Sequence, residues 1–331
     1  MILPILPQQT EKIKESVLSS WPRCGLPLRF VSSVPTESLR SLLFDDLNKS
    51  LENDGARLFA QYDRNTLIAI ALVQPQTWES RVLGVSVFTL QVACCATANA
   101  LNQAPLIESS LDYIRTISEN ALVTARCWTS ESSLIHDFER KGFLLMDTAV
   151  DVIYYQRLVL QPSDALPVLP LGLALRLAVP ADEEALRDLA GRSFSGHFGR
   201  FHADPRLGRQ MGTKVYQEWI ASCLNGWANY VFLVEDVETM KPVGFSAWKE
   251  PSALEQSLGL MLGHYSIGAV SPHYAGRGVF KVLTHAGMRA LINCQAIEGP
   301  THIHNLPVQR GYQSLGWMIA DSRHTFHAWI N

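Results

Sequence analysis

The sequence predicts an α/β protein made of two consecutive units, each with helices packed on a mixed sheet, and three observations carry that prediction. Segments of helical and strand period alternate along the whole chain. The alternation halts at 161–170, where three prolines fall within ten residues. Beyond that break the pattern restarts, so the halves read as a diverged repeat. The expected division is 1–160, a linker at 161–172, and 173–331.

Composition bounds what such a chain does. With 331 residues, 47% of them hydrophobic and 18% charged, two well-buried cores are expected. The formal net charge is −3 with no basic block, which argues against nucleic acid as a partner. Six cysteines (Cys24, Cys94, Cys95, Cys127, Cys223, Cys294) show no C-x-x-C spacing and read as reduced thiols of a cytoplasmic protein. The apolar start at 1–7 lacks a basic leader and is not expected to be a signal peptide. The run 82–98 is interrupted by Ser86, Thr89, Gln91 and Thr97 and is too short to span a bilayer. It reads as a buried strand with its following loop.

In chain order, 11–20 and 36–52 carry helical spacing, the second through Leu39, Leu42, Leu43, Leu47 and Leu51. Residues 57–62 and 67–73 form a hairpin about the polar turn Asp63-Arg64-Asn65. A strand at 85–92, a helix at 106–120, a strand at 121–128, a helix at 132–141 stopped by Gly142, and a strand at 150–158 complete the first half. Trp78-Glu-Ser-Arg81 fits either a groove lining or a surface turn. After the linker come a strand at 173–177 and a helix at 181–192, opened by Pro180 with Asp182, Glu183 and Glu184 in its first turn. A helix at 215–224, a hairpin of 230–235 with 243–249, and short strands at 301–304 and 324–330 follow.

The densest signal lies at 264–291. The strand 264–270 ends at Ser271-Pro272, since proline donates no ladder hydrogen bond. Gly276 and Gly278 then bracket Arg277 ahead of a helix whose apolar face is Val279, Phe280, Val282, Leu283, Ala286, Ala290 and Leu291. Glycines at a helix start admit a bulky anion, and the unpaired N–H groups bind it. No Gly-Lys-Ser/Thr ending follows, and Lys281 stands where a dinucleotide fingerprint needs its third glycine. Farther on, 305–317 reads Asn-Leu-Pro-Val-Gln-Arg-Gly-Tyr-Gln-Ser-Leu-Gly-Trp, a helix opened by Pro307 and closed by Gly316.

These two motifs, V-x-P-x-x-x-G-x-G followed by N-x-x-V-x-x-x-Y-x-x-L-G-W, resemble the acetyl-CoA core of the GNAT N-acetyltransferase superfamily. The first half has the same element order but reads Gln-Val-Ala-Cys-Cys-Ala-Thr-Ala from Gln91, without a glycine loop, and so resembles a degenerate domain. The expected fold is therefore two tandem GNAT-like domains, the first degenerate. The whole chain is similar to the TDP-fucosamine acetyltransferase branch, which acetylates the amine of a nucleotide-linked deoxysugar.

The resemblance implies acetyl-CoA as co-substrate, no metal, and a small-molecule primary amine as acceptor. It implies that the amides of Gly276, Arg277, Gly278 and Val279 hold the pyrophosphate. Ala269 and Val270 would align the pantetheine arm, Asn305 would touch it, and Tyr312 would act as general acid. The other reading of Tyr312 is a core tyrosine at helical spacing. The sequence departs from the pattern at Ala275, where Arg or Gln is usual, and at Phe280, where Gly or Ala is usual. The second departure is expected to put bulk near the phosphates.

The loop 194–205, with its aromatic rings, two histidines and Arg200, reads either as an acceptor wall or as a loop packed on itself. Phe198, Arg200, His202 and, from the central strand, His264 are the acceptor-binding candidates. The general base stays open among His264, Tyr265, Glu250 and a water chain. His302 and His304 share a strand face but have no third ligand at metal-site spacing, so a cleft-lining pair is expected. A homodimer is compatible with the sequence. Two other readings stand beside the first: a non-catalytic acyl-CoA-binding module, and an acetyltransferase for an amino acid or peptide amine.

Overall fold

The computed structural model describes residues 1–5, 10–95, 102–156 and 167–331, without the side chains of residues 12 and 20. The helices are α1 (Thr10–Ser20), α2 (Thr36–Leu51), α3 (Thr77–Leu83), α4 (Ala104–Ile117), α5 (Ser132–Arg140), α6 (Glu183–Phe194), α7 (Arg200–Ala203), α8 (Gly208–Ser222), α9 (Ala253–Ser257), α10 (Val279–Ala290) and α11 (Leu306–Ser314). The strands are β1 (Ile2–Ile5), β2 (Arg57–Asp63), β3 (Thr66–Pro75), β4 (Ser86–Cys94), β5 (Ala121–Trp128), β6 (Leu144–Tyr155), β7 (Leu173–Leu177), β8 (Tyr230–Asp236), β9 (Pro242–Lys249), β10 (Leu262–Val270), β11 (Ala296–His302) and β12 (Met318–Ile330).

Two compact units result, Met1–Thr148 with Ser322–Asn331, and Ala149–Asp321. This corrects the sequential division at the linker, because the boundaries fall inside β6 and β12. In the first unit the strands run β1-β2-β3-β4-β5-β12, with Arg323 to Ile330 antiparallel to β5. Its core joins α4 and α5, through Leu106, Leu111, Ile114 and Phe138, to β3, β5 and Phe326. Residues 67–73 of β3 are all buried, as a continuous apolar run in a central strand demands.

The second unit runs β6-β11-β10-β9-β8-β7, with Ala149 to Tyr155 antiparallel to β11. On one face α6 and α8 bury Leu186, Leu189, Tyr216 and Ile220 against Phe245 and Ile267. On the other, α10 and α11 bury Met288, Leu291 and Tyr312 with Trp248 and Trp317. Each unit therefore takes one outer strand from the far half of the sequence. Strand partners are chosen by matching apolar faces and free edges, not by nearness in sequence.

Most predicted elements are present within a few residues. β1, α3, α7 and α9 were not expected, each being four to seven residues long and too short to show a period. The Trp78–Arg81 stretch belongs to α3. β11 is longer than the predicted 301–304, because Gly299 and Pro300 in its middle disguise it as a turn. α8 begins seven residues before the predicted 215. The first part of the expected linker, 161–166, and residues 96–101, the tail of the degenerate loop, lie outside the described residues.

Gly287 shows how closely α10 approaches the sheet. A methyl group there would overlap the Trp248 indole, which is completely buried and donates to Ser246 Oγ at 2.8 Å. Gly287→Ala is expected to destabilise the chain by about 1–3 kcal/mol through overpacking, read as a lower urea midpoint in tryptophan fluorescence.

Candidate active site

The site begins where two strands part. β10 and β11 run parallel only from Leu262, Gly263 and His264, opposite Ala296, Ile297 and Glu298. Past that point β10 stays paired with β9 alone. A register shift between Tyr265 and Ile267 leaves Ser266 as a bulge. Bulges re-aim side chains. Here Ser266 faces α8, where Trp219 Nε1 donates to its hydroxyl at 3.0 Å.

His264 stands at the fork and is held on both ring nitrogens. Nδ1 lies 2.8 Å from Glu298 Oε1 and Nε2 lies 2.9 Å from Glu255 Oε1. Burial alone would lower its pKa, but the two carboxylates outweigh that and push it up to about 9. Burial acts to raise the Glu255 carboxyl, yet the hydrogen bond and charge of His264 leave it below the usual range. Glu255 is itself fixed by a capping box, accepting from Ser252 N at 2.7 Å while Ser252 Oγ accepts from Glu255 N at 3.2 Å. With both ring nitrogens held by carboxylates and its side chain absent from the cavity lining described below, His264 is not placed here to contact an acceptor or to take its proton.

Beyond Val270 the chain turns through Pro272–Tyr274 into the glycine loop. Tyr274 Oη donates to Asp236 Oδ2 at 3.0 Å, and the Arg277 guanidinium lies 5.2 Å from the Tyr274 ring. Gly276 and Gly278 have φ of 75° and 80°, a region that disfavours any side chain. Gly278 starts α10 with no side-chain cap. The first-turn amides therefore point outward with no intrahelical acceptor.

A cavity of about 670 Å³ opens here. Of the expected residues, Ala269, Val270, Gly276, Gly278, Val279, Asn305 and Phe198 line it. Its charged lining residues are Arg192, Lys281 and Arg310, with no carboxylate among them. His197 lines it too, its ring 5.1 Å from that of Phe198, which sits 4.5 Å from His302. His197 belongs to the loop marked by its two histidines, whereas Arg192, Lys281 and Arg310 are single polar residues on helices and carry no periodic signal. Lys281, rejected as a fingerprint position, was the one visible hint.

Besides His264, four expected residues do not line the cavity. Arg200 places its guanidinium 4.3 Å from the Phe201 ring, and Arg277 is exposed beside the glycine loop. His202 packs on Tyr216 with Nε2 3.1 Å from Thr213 Oγ1, and burial, with Arg209 nearby, lowers its pKa. Tyr312 is completely buried, its hydroxyl without a hydrogen-bond partner. Burial, with Tyr265 and Glu298 adding to it, raises that phenol well above 10. Phe280 lines the cavity beside Gly278 and Val279, with much of its bulk turned inward. Its ring lies edge-on to Tyr312 at 5.3 Å and against Gly311, where a side chain would collide with it.

His302 Nδ1 accepts from the His304 amide at 3.0 Å. Among the described residues, no three His, Cys, Asp or Glu side chains are grouped to hold a metal ion. No helix of the described residues is long and apolar enough to cross a membrane.

The first unit has a comparable fork, β4 pairing in parallel with β5 only from Ser86 to Leu90. There the chain at Arg23–Gly25 is pressed against it, with Gly25 so close to the Cys94 carbonyl that no side chain would fit. The Arg23 guanidinium fixes this segment by donating to Arg29 O at 2.9 Å and Val34 O at 2.7 Å. Among the described residues a cavity of about 190 Å³ lies beside it.

No protein-family model matches the chain. The spore coat polysaccharide biosynthesis protein SpsD of Bacillus subtilis (strain 168) is 23% identical over 270 residues, covering 81% of this chain and 86% of that protein. A GCN5-related N-acetyltransferase from Sphaerobacter thermophilus superposes with a TM-score of 0.65 at 13% identity, over 100% of this chain and 96% of its own. A tandem GNAT protein from the clavulanic acid biosynthesis pathway does so with a TM-score of 0.58 at 11% identity, over 100% and 98%. The fold is thus the tandem GNAT fold over the full chain.

The His264 cluster sets a pH dependence. Its folded value lies above the ordinary 6.5, so its contribution is complete below about pH 6.5 and is lost as pH rises through about 9. Glu255, shifted down, contributes above its usual range and loses that only on acidification. Urea unfolding is expected to weaken by about 3 kcal/mol from pH 6.5 to above 9, and His264→Gln to remove that slope.

Proposed function

We propose that this tandem GNAT-fold chain transfers an acetyl group from acetyl-CoA to the primary amine of a small molecule, using the cavity of the second unit. The observation that carries the reading is the uncapped start of α10 behind Gly276 and Gly278, opening on the same cavity as the fork-side residues Ala269 and Val270. Such a start offers several N–H donors and a partial positive charge to a diphosphate. Lys281 and Arg310 add two cations at the same wall.

The chain's own groups divide the work. Amides of Gly278 and Val279 bind the pyrophosphate, and Asn305 borders the arm behind it. Ala269 and Val270, free of β11, offer their backbone to the pantetheine amides and to the oxygen that becomes negative on attack. Holding both reactants in one cavity makes the attack effectively intramolecular. A tyrosine at the fork supplies the proton that the departing sulfur needs.

For the acceptor, a nucleotide-linked amino sugar is the best-supported class. The lining has three cations and no carboxylate, which suits an anionic acceptor and opposes a polyamine. Phe198 and His197 present stackable rings at the cavity wall. The polysaccharide role in the name of SpsD is in keeping with a sugar.

Calorimetric titration with acetyl-CoA tests this. Micromolar binding to the wild type is expected, weakened at least ten-fold in Gly278→Asp, where a carboxylate and an unfavourable φ meet the phosphate site. Absence of binding to the wild type would overturn the enzyme and the acyl-CoA-module readings together.

A further inference from the structure

We infer that Tyr265, rather than Tyr312, is the catalytic hydroxyl of the fork and protonates the sulfur that leaves the acyl carbon. This rests on the acyl-CoA reading above.

The two phenols lie perpendicular, with ring centroids 6.0 Å apart, but their hydroxyls meet different surroundings. Tyr312 is walled in by Phe280 at 5.3 Å and Trp317 at 4.7 Å, and nothing accepts from its hydroxyl. It reaches the cavity only through Phe280, whose ring stands between its own and the lining. Tyr265 is half-buried, its phenol raised by burial as that of Tyr312 is, and it is the first residue of β10 beyond the last pair with β11. The bulge at Ser266 turns Tyr265 and Gly268 to the same face, opposite Ile267, which enters the α6–α8 core. The Tyr265 hydroxyl then lies directly over Gly268, where a methyl group would overlap it. Gly268 lines the cavity beside Ala269 and Val270, so that hydroxyl borders the place where the thioester is expected.

Gly299 makes the same room on β11. A side chain there would come within 2.9 Å of Tyr265 Cβ and 3.3 Å of Tyr312 Oη. Two glycines on facing strands thus leave a slot that the two tyrosines fill, with Tyr312 bracing the ring of Tyr265 as a positioning residue.

The step balances. The amine lone pair forms the C–N bond, the C–S bond breaks, and its electron pair goes to sulfur. Sulfur takes the proton of Tyr265 Oη, and the proton lost by the acylated nitrogen returns to the tyrosinate through water. The products are the amide and the free thiol.

The test compares CoA with desulfo-CoA, the same molecule without its sulfur, by calorimetry near pH 8.5, where an ordinary thiol is about half ionised. A hydroxyl donating to the thiolate makes wild type bind CoA about ten-fold more tightly than desulfo-CoA. Tyr265→Phe is expected to abolish that ratio while leaving desulfo-CoA affinity unchanged, and Tyr312→Phe to keep it. Should Tyr265→Phe lose desulfo-CoA as well, Gly268→Ala, which displaces the hydroxyl, decides by the same ratio. A ratio that survives loss or displacement of the Tyr265 hydroxyl, or that vanishes in Tyr312→Phe, overturns the assignment. Equal binding of both ligands by wild type also overturns it while leaving the acyl-CoA site standing. Binding of neither overturns that site.

Discussion

The second unit depends on one buried ionic contact, His264 between Glu298 and Glu255. It sits on the last hydrogen-bonded pair of β10 and β11 and fixes where the strands separate. Below it the sheet is continuous and apolar. Above it β10 has no β11 partner, and its peptide groups become available to a ligand. A buried pair is a weak source of net stability, but removing one partner leaves an uncompensated charge. The clamp is best understood as setting position. Its third member enters through the capping box of α9, so a five-residue helix is joined to the fork by the same carboxylate that starts it.

Around this contact the unit is shaped by absent side chains. Gly268 and Gly299 accommodate two tyrosines, Gly311 accommodates Phe280, and Gly287 accommodates Trp248. At each position a large ring takes the space a Cβ would occupy. Phe280 and Gly311 form a compensating pair: bulk at the start of α10 is accepted because α11 offers none opposite. The cavity is left open because the aromatic volume was packed inward.

The fold was legible because period and punctuation are local. The Leu39-to-Leu51 helix, the buried run of β3 and the proline-glycine passage into α10 each announce themselves within a dozen residues. The glycine loop at the cavity was equally plain, since Gly276 and Gly278 are required by backbone angles. What escaped was set by distance. Nothing in the local sequence of 149–155 or 323–330 states which sheet it joins, and that decision moved both domain boundaries. His264 drew attention as a titratable residue on the central strand, but its two carboxylates come from positions 255 and 298 and could not be foreseen. Tyr312 matched its motif and nonetheless lies sealed behind Phe280, at a position where the chain departs from the family pattern.

The exchange of outer strands bears on how the chain acquires its structure. As the polypeptide leaves the ribosome, the first unit emerges with every element but one. Its β5 edge lacks the 323–330 partner until all of the second unit has been synthesised. The unit that starts first is therefore completed last, and an apolar strand edge stays open through much of translation. Such an edge is a template for mispairing. A nascent chain cut short within the second half would leave that edge without its partner.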